Sequence, residues 1–171
     1  IVGVSINVKD THLQPLIYFN YNDGDETRDR IFTGALYAWE SWGKVRGDID
    51  IGLMYGHTEN VPEFDFHERN EYRRLAYLAT VDLKYEFDKY AGSYAGFGID
   101  YTSGDSRESS RSELFLAPFM SRHAYRGYMD YFRDVEQGLL DLTVQTGLAP
   151  RDNMRLDITF HNFYSTDQTV M

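Results

Sequence analysis

The sequence predicts an all-β chain, an antiparallel up-and-down β-barrel that crosses a membrane. Three observations carry that expectation. Apolar and polar residues alternate with a period of two in one segment after another, and successive side chains of a strand point to opposite faces. The longest run shows it plainly. Leu75, Tyr77, Ala79, Val81, Leu83, Tyr85 and Phe87 fall on one side, with Arg74, Thr80, Asp82, Lys84 and Glu86 on the other. Such runs are also long enough, because about ten residues tilted at about 45° cross a bilayer's hydrocarbon core. Finally, aromatic residues make up 16% of the chain, with 14 Tyr and 11 Phe. Membrane barrels carry aromatic girdles at both interfaces. Trp39, Trp42, Tyr55, Tyr85, Phe87 and Tyr101 are the girdle candidates.

About eight strands are expected from the alternation. Val2, Val4, Ile6 and Val8 give the first its apolar face, and Asp10-Thr11-His12 makes a tight turn. Leu13, Pro15, Ile17, Phe19 and Tyr21 oppose Gln14, Tyr18, Asn20 and Asn22 in the second. A polar loop at 23–29 follows. Ile31, Thr33, Ala35, Tyr37 and Trp39 share a side of the third strand, and 43–47 is a turn. Ile49, Ile51, Leu53 and Tyr55 alternate with Asp48, Asp50, Gly52 and Met54 in the fourth. A charged loop at 61–72 leads to the run from Leu75, which turns at 88–92. Ala95, Phe97, Ile99 and Tyr101 then alternate with Tyr94, Gly96, Gly98 and Asp100. After a long connection, 103–136, Leu140, Leu142, Val144, Thr146 and Leu148 oppose Asp141, Thr143 and Gln145. A turn at 149–153 brings in the last strand, with Met154, Leu156, Ile158 and Phe160 against Arg155, Asp157, Thr159 and His161. Short turns alternate with longer loops, as in outer-membrane barrels. Periodicity alone leaves open which face is inside, and a soluble barrel with its apolar face inward has the same beat.

Composition narrows the classes. The chain has 171 residues, enough for one domain over 1–171. It has no cysteine, so disulfides and thiolate chemistry are out. A net charge of −10 argues against nucleic acid as a partner. Mean hydropathy is −0.51, and no apolar run approaches the roughly 20 residues of a transmembrane helix. A membrane barrel is untouched by that, since half of each strand is polar. Residues 1–8 show no basic region and no cleavage site, and 168–171 do not form an amphipathic strand ending in an aromatic residue. The expectation is a piece of a larger barrel.

Enzyme and metal signals are weak. Gly104-Asp105-Ser106 beside an Ile1-Val2-Gly3 start is followed by Arg107 and Glu108, where a serine protease's oxyanion loop needs glycines. His161 and Ser165 read as polar residues at a strand end rather than a hydrolytic pair. His57, Glu63, Asp65, His67 and Glu68, and the run 22–26, match no defined metal spacing. They read as solvated outer loops. No catalytic residue, metal ligand or cofactor is expected.

One stretch is more specific. Asp100-Tyr101 with Ser103-Gly104-Asp105 ends a strand and opens a loop. Phe115, Pro118 and Phe119 follow, then His123-Ala124-Tyr125, Gly127-Tyr128-Met129-Asp130 and Phe132. Leu140-Asp141-Leu142 opens the next strand, and Phe160-His161 closes its hairpin partner. This stretch resembles the alginate-export family of outer-membrane porins. The resemblance implies a large antiparallel barrel in the bacterial outer membrane that passes solutes, with outer-membrane lipids, lipopolysaccharide and small or oligosaccharide solutes as partners.

The site expectations follow from the polar faces. Asp48, Asp50, Arg74, Asp82, Lys84, Glu86, Asp100, Asp141, Arg155 and Asp157 should line the pore and set its selectivity. With Glu40, Arg30 and Arg46 added, acidic residues outnumber basic ones, whereas a pore for polyanionic alginate calls for Lys and Arg. The loop 103–136 turns apolar and aromatic in its second half. It is therefore expected to fold into the pore, with Arg122, His123, Arg126 and Asp130 forming a constriction. The alternatives are a non-conducting outer-membrane barrel for anchoring or adhesion, and a soluble ligand-binding barrel.

Overall fold

The computed structural model describes residues 2–3, 6–8, 11–23, 28–59, 71–87, 92–104, 111–115, 138–151 and 153–166. Ten strands form one sheet, with no helix among the described residues. They are β1 (Val2–Gly3), β2 (Ile6–Val8), β3 (Thr11–Asp23), β4 (Arg28–Trp42), β5 (Val45–Glu59), β6 (Glu71–Glu86), β7 (Tyr94–Thr102), β8 (Arg111–Ser112), β9 (Leu139–Arg151) and β10 (Met154–Ser165). The order across the sheet is β1-β3-β4-β5-β6-β7-β9-β10, with β2 also on β3. All these pairings are antiparallel, so the chain runs up and down; β8 alone pairs parallel, on β6. The two ends of the sheet are not joined among the described residues.

All eight expected strands are present, the first split into β1 and β2, with β8 as an addition. Several ladders run further than the alternation predicts. Thr11 and His12, assigned above to a turn, pair with Val8 and Trp39. Val45 pairs with Trp42, so the β4–β5 turn is only Gly43-Lys44. Gly43 there has φ +63°, a left-handed conformation that glycine adopts without a Cβ penalty. Arg151 pairs with Met154, tightening the last hairpin in the same way. Tight turns hold the strands in register, and a ladder once in register extends until a side chain or loop interrupts it.

Register divides the sheet into two faces with opposite burial. One carries Ile17 and Phe19 of β3, Phe32 and Leu36 of β4, and Ile49, Leu53 and Tyr55 of β5. It continues through Tyr77, Val81 and Leu83 of β6, Phe97 and Ile99 of β7, Val144 of β9 and Phe160 of β10. This apolar face is the exposed one, with Tyr55 and Val144 at 61% and Phe160 at 74%. The other face carries the charges and is the buried one. Asp141 is fully buried there, as are the few apolar residues that pack away from solvent: Met54, Ala76, Leu78 and Leu139. The sheet is thus inside out compared with a water-soluble domain, which hides its apolar face.

In β4 the register overturns one expectation. Ile31, Thr33, Ala35, Tyr37 and Trp39 do share a side, but it is the charged one, opposite Asp48 and Asp50. The exposed side of β4 is Phe32, Gly34, Leu36 and Ala38. Both sides of this strand are rich in apolar residues, so alternation alone does not choose; the partners on β3 and β5 do. Trp39 accordingly leaves the girdle set and stacks on His12 at 3.9 Å between ring centroids. Arg30 and Glu40 fall in register with the apolar face, near its ends.

Candidate functional site

The charged face is ordered in rows, because residues paired across an antiparallel ladder point the same way. One row runs His12, Trp39, Asp48, Asp82, Gly98, Thr143, His161. The next runs Gln14, Tyr37, Asp50, Thr80, Asp100, Asp141, Phe163. These two adjacent rows hold five aspartates on four strands and no Lys or Arg. They form an acidic belt across the middle of the sheet.

Four of the five carboxylates are held by different neighbours. The Tyr37 hydroxyl donates to Asp48 Oδ1 at 2.9 Å, and Arg46 Nη2 reaches the same oxygen at 3.3 Å. Gln145 Nε2 donates to Asp82 Oδ1 at 2.6 Å. Thr80 Oγ1 donates to Asp100 Oδ1 at 3.2 Å. His161 Nδ1 lies 2.7 Å from Asp141 Oδ2, while Asp141 Oδ1 is buried with no hydrogen-bond partner. Gly98 makes the belt possible. A Cβ there would sit 2.9 Å from Asp82 Oδ1 and collide with Thr143 Oγ1.

Toward the short turns the sign changes. The adjoining row holds Arg46 and Lys84. Beyond it, Tyr94 donates to Asp157 at 3.0 Å, and Arg155 Nε pairs with Asp157 at 2.8 Å. Lys84 and Arg155 both lie over the Tyr94 ring, at 5.8 and 5.7 Å. Arg46 lies over Trp39 at 5.1 Å.

Away from the short turns the same face becomes apolar and carries the start of the long connection. The β6–β7 ladder ends at Leu78 and Thr102. Ser103 carries the contact further: its backbone N–H donates to the Tyr77 carbonyl at 2.9 Å, and its hydroxyl accepts from Tyr77 N at 2.8 Å and donates to the Glu113 carbonyl at 2.6 Å. Arg74 Nη1 donates to the Leu114 carbonyl at 3.1 Å. Phe115 lies over Gly52, where a Cβ would stand 2.9 Å from its ring. Residues 111–112 thus pair alongside β6 within the sheet, and Leu114 and Phe115 are fastened onto the charged face beside the belt.

The structure thus brings Asp48, Asp50, Asp82, Asp100 and Asp141 together and sets Lys84, Glu86, Arg155 and Asp157 toward the short-turn end. Arg74 is 4% exposed and tethers the returning segment. Arg122, His123, Arg126 and Asp130 lie outside the described residues, as do Glu63, Asp65, His67 and Glu68. His161, four residues before Ser165, is engaged with Asp141. Sequence reasoning passed over Thr80, Gln145, Ser103 and Tyr37 as partners. Only register shows that they face the carboxylates or the returning segment. No family model, curated protein or solved structure matches this chain.

Proposed function

We propose that this chain is part of an outer-membrane β-barrel pore of the porin kind, passing small or carbohydrate-type solutes without a cofactor. The observation that carries the reading is the inverted burial: the apolar face is exposed across seven long strands, while across β4 to β9 the charged face is the less exposed one. An exposed apolar surface on a monomer rarely exceeds a few hundred Å², and this one runs the width of the sheet. Lipid covers such a face, and water in a lumen solvates the other. Unpaired strand edges do not persist in hydrocarbon, so the sheet is read as an arc of a larger closed barrel. The resemblance of 99–142 to alginate-export porins supports the same class. The acidic belt favours cationic or neutral solutes over polyanions, because a ring of carboxylates attracts cations and repels anions.

Reconstitution of the folded protein into a planar bilayer tests the reading. Stepwise conductance is the expected result. A second reading, a closed barrel for anchoring, is favoured by the way segment 111–115 covers part of the inward face. Correctly folded protein that inserts and never conducts would select that reading.

A further inference from the structure

We propose that Arg30, Arg73 and Arg111 form a docking row for phosphorylated lipid headgroups, at the long-loop end of the exposed apolar face. The row itself follows from strand register; that it meets a lipid leaflet rests on the membrane reading above.

Adjacent strands build the row. Arg30 of β4 pairs with His57 of β5, His57 with Arg73 of β6, and Arg73 with Arg111 of β8. Tyr21 of β3 continues it beyond Arg30. Residues paired across a sheet share a face. Positions two apart on a strand share it as well, so this row caps the apolar side. Tyr21 and all three arginines are exposed. Arg30 and Arg73 make no ion pair among the described residues. The row beneath is Phe19, Phe32, Tyr55 and Leu75. Phe19 stacks on Tyr21 with ring centroids 6.4 Å apart. An aromatic tier capped by arginines suits a membrane–water interface, where rings sit at the edge of the hydrocarbon and long basic side chains reach the headgroups.

Height and sign point to lipid phosphate. Between the arginine row and the row of Glu40 and Gly47, this face of β4, β5 and β6 carries no charged residue. His57 and Gly47 mark the two rows on β5, ten residues apart. At about 3.3 Å per residue and a tilt of about 45°, that is about 23 Å along a barrel axis. The apolar band of an outer-membrane barrel is about 25 Å tall. At the short-turn end the same face carries Glu40 and, within the described strands, no Lys or Arg. The arginines thus stand only at the long-loop end, which in such barrels is the outer one. The next row outward, Asp23, Arg28, Glu59 and Glu71, is mixed in sign, so the cationic surface is a single tier at headgroup height. Guanidinium groups bind phosphate through paired N–H donors. Neighbouring strands lie about 4.8 Å apart, close enough for Arg73 and Arg111 to share one phosphate.

The test uses the full chain folded in zwitterionic detergent micelles, with bisphosphorylated lipid A and phosphatidylcholine as probes. Native mass spectrometry counts the lipids retained. Lipid A should be kept in preference to phosphatidylcholine. Arg30→Gln, Arg73→Gln and Arg111→Gln should each weaken its binding about fivefold, and the triple variant should lose the preference. Lys44→Gln, which removes one positive charge at the short-turn end, should bind lipid A as the wild type does. Millimolar inorganic phosphate should not displace the lipid, because its acyl chains are held on the aromatic tier. Displacement by phosphate would assign the row to a free anion and overturn the proposal. So would an unchanged preference in the triple variant, or an equal loss in Lys44→Gln. The substituted side chains are exposed, so the sheet signal in circular dichroism should stay unchanged; if the triple variant does not fold, the three single variants decide. These readouts need no conducting pore. A protein that shows the arginine-dependent preference and never conducts refutes the pore and keeps the row; one that conducts and shows no such preference does the reverse.

Discussion

At the scale of single residues, direction on the strand decides what a substitution costs. Val81 and Asp82 are neighbours in β6, yet Val81 lies on the exposed apolar face opposite Ile49 and Ile99, while Asp82 accepts from Gln145 on the inward face. In a bilayer, Val81→Arg places a charge in hydrocarbon and should lower folding stability by about 2–4 kcal/mol if it lies near the midplane. Asp82→Asn keeps an acceptor for Gln145 and should fold as the wild type does. Denaturant titration of the protein refolded into lipid vesicles measures both. If Val81→Arg is tolerated and Asp82→Leu abolishes folding, the faces are reversed and a soluble barrel is the better description.

Among the elements, the segment around β8 is the one whose behaviour depends on few contacts. Ser103 extends the β6–β7 contact past the paired residues, its backbone N–H donating to the Tyr77 carbonyl and its hydroxyl bridging Tyr77 N and the Glu113 carbonyl. Ser103→Ala leaves Tyr77 N and the Glu113 carbonyl without their partner, a loss of about 1–3 kcal/mol for the buried groups. The strands do not depend on that contact, so the loss should be local. The expected result is faster proteolytic cleavage within 105–137 with an unchanged sheet signal in circular dichroism. Cleavage at the wild-type rate would mean that the segment is held elsewhere. Deleting 114–132 carries the same reasoning into function. If the connection narrows a pore, single-channel conductance should rise in the deleted protein while the sheet stays folded. Unchanged conductance would show that the loop is no constriction.

For the whole molecule, the ordering of charge along the inward face matters more than its total. Net charge is −10, but the feature with consequences is the concentration of five aspartates in two adjacent rows, flanked by Arg46 and Lys84 on one side only. Field lines in a narrow, low-dielectric channel are set by such local rings. Replacing Asp82, Asp100 and Asp141 together by Asn should move the reversal potential in a salt gradient toward anion preference. An unaltered reversal potential would place the selectivity-determining charges outside the belt. The sheet's free edge on β10 belongs to this scale as well. Its backbone groups on that side find no strand partner among the described residues, and an open strand edge is a template for pairing with another strand.

Much of this was legible in the residues alone. The period-two beat from Leu75 onward placed β6 and the sides of its residues, because a strand's geometry is local and its alternation is written directly into the chain. The same beat assembled Asp48, Asp50, Asp82, Asp100 and Asp141 as members of polar faces. Two things needed the tertiary structure. One was register, which decides that Trp39 stands beside Asp48 rather than in a girdle, and that Asp100 meets Asp141; pairing joins residues 41 positions apart in that last case, and no local pattern encodes the offset. The other was which face is hidden. A strand with one apolar and one charged side is equally consistent with a core packed on either, and only the burial summed across β4 to β9 shows the charged side to be the less exposed of the two.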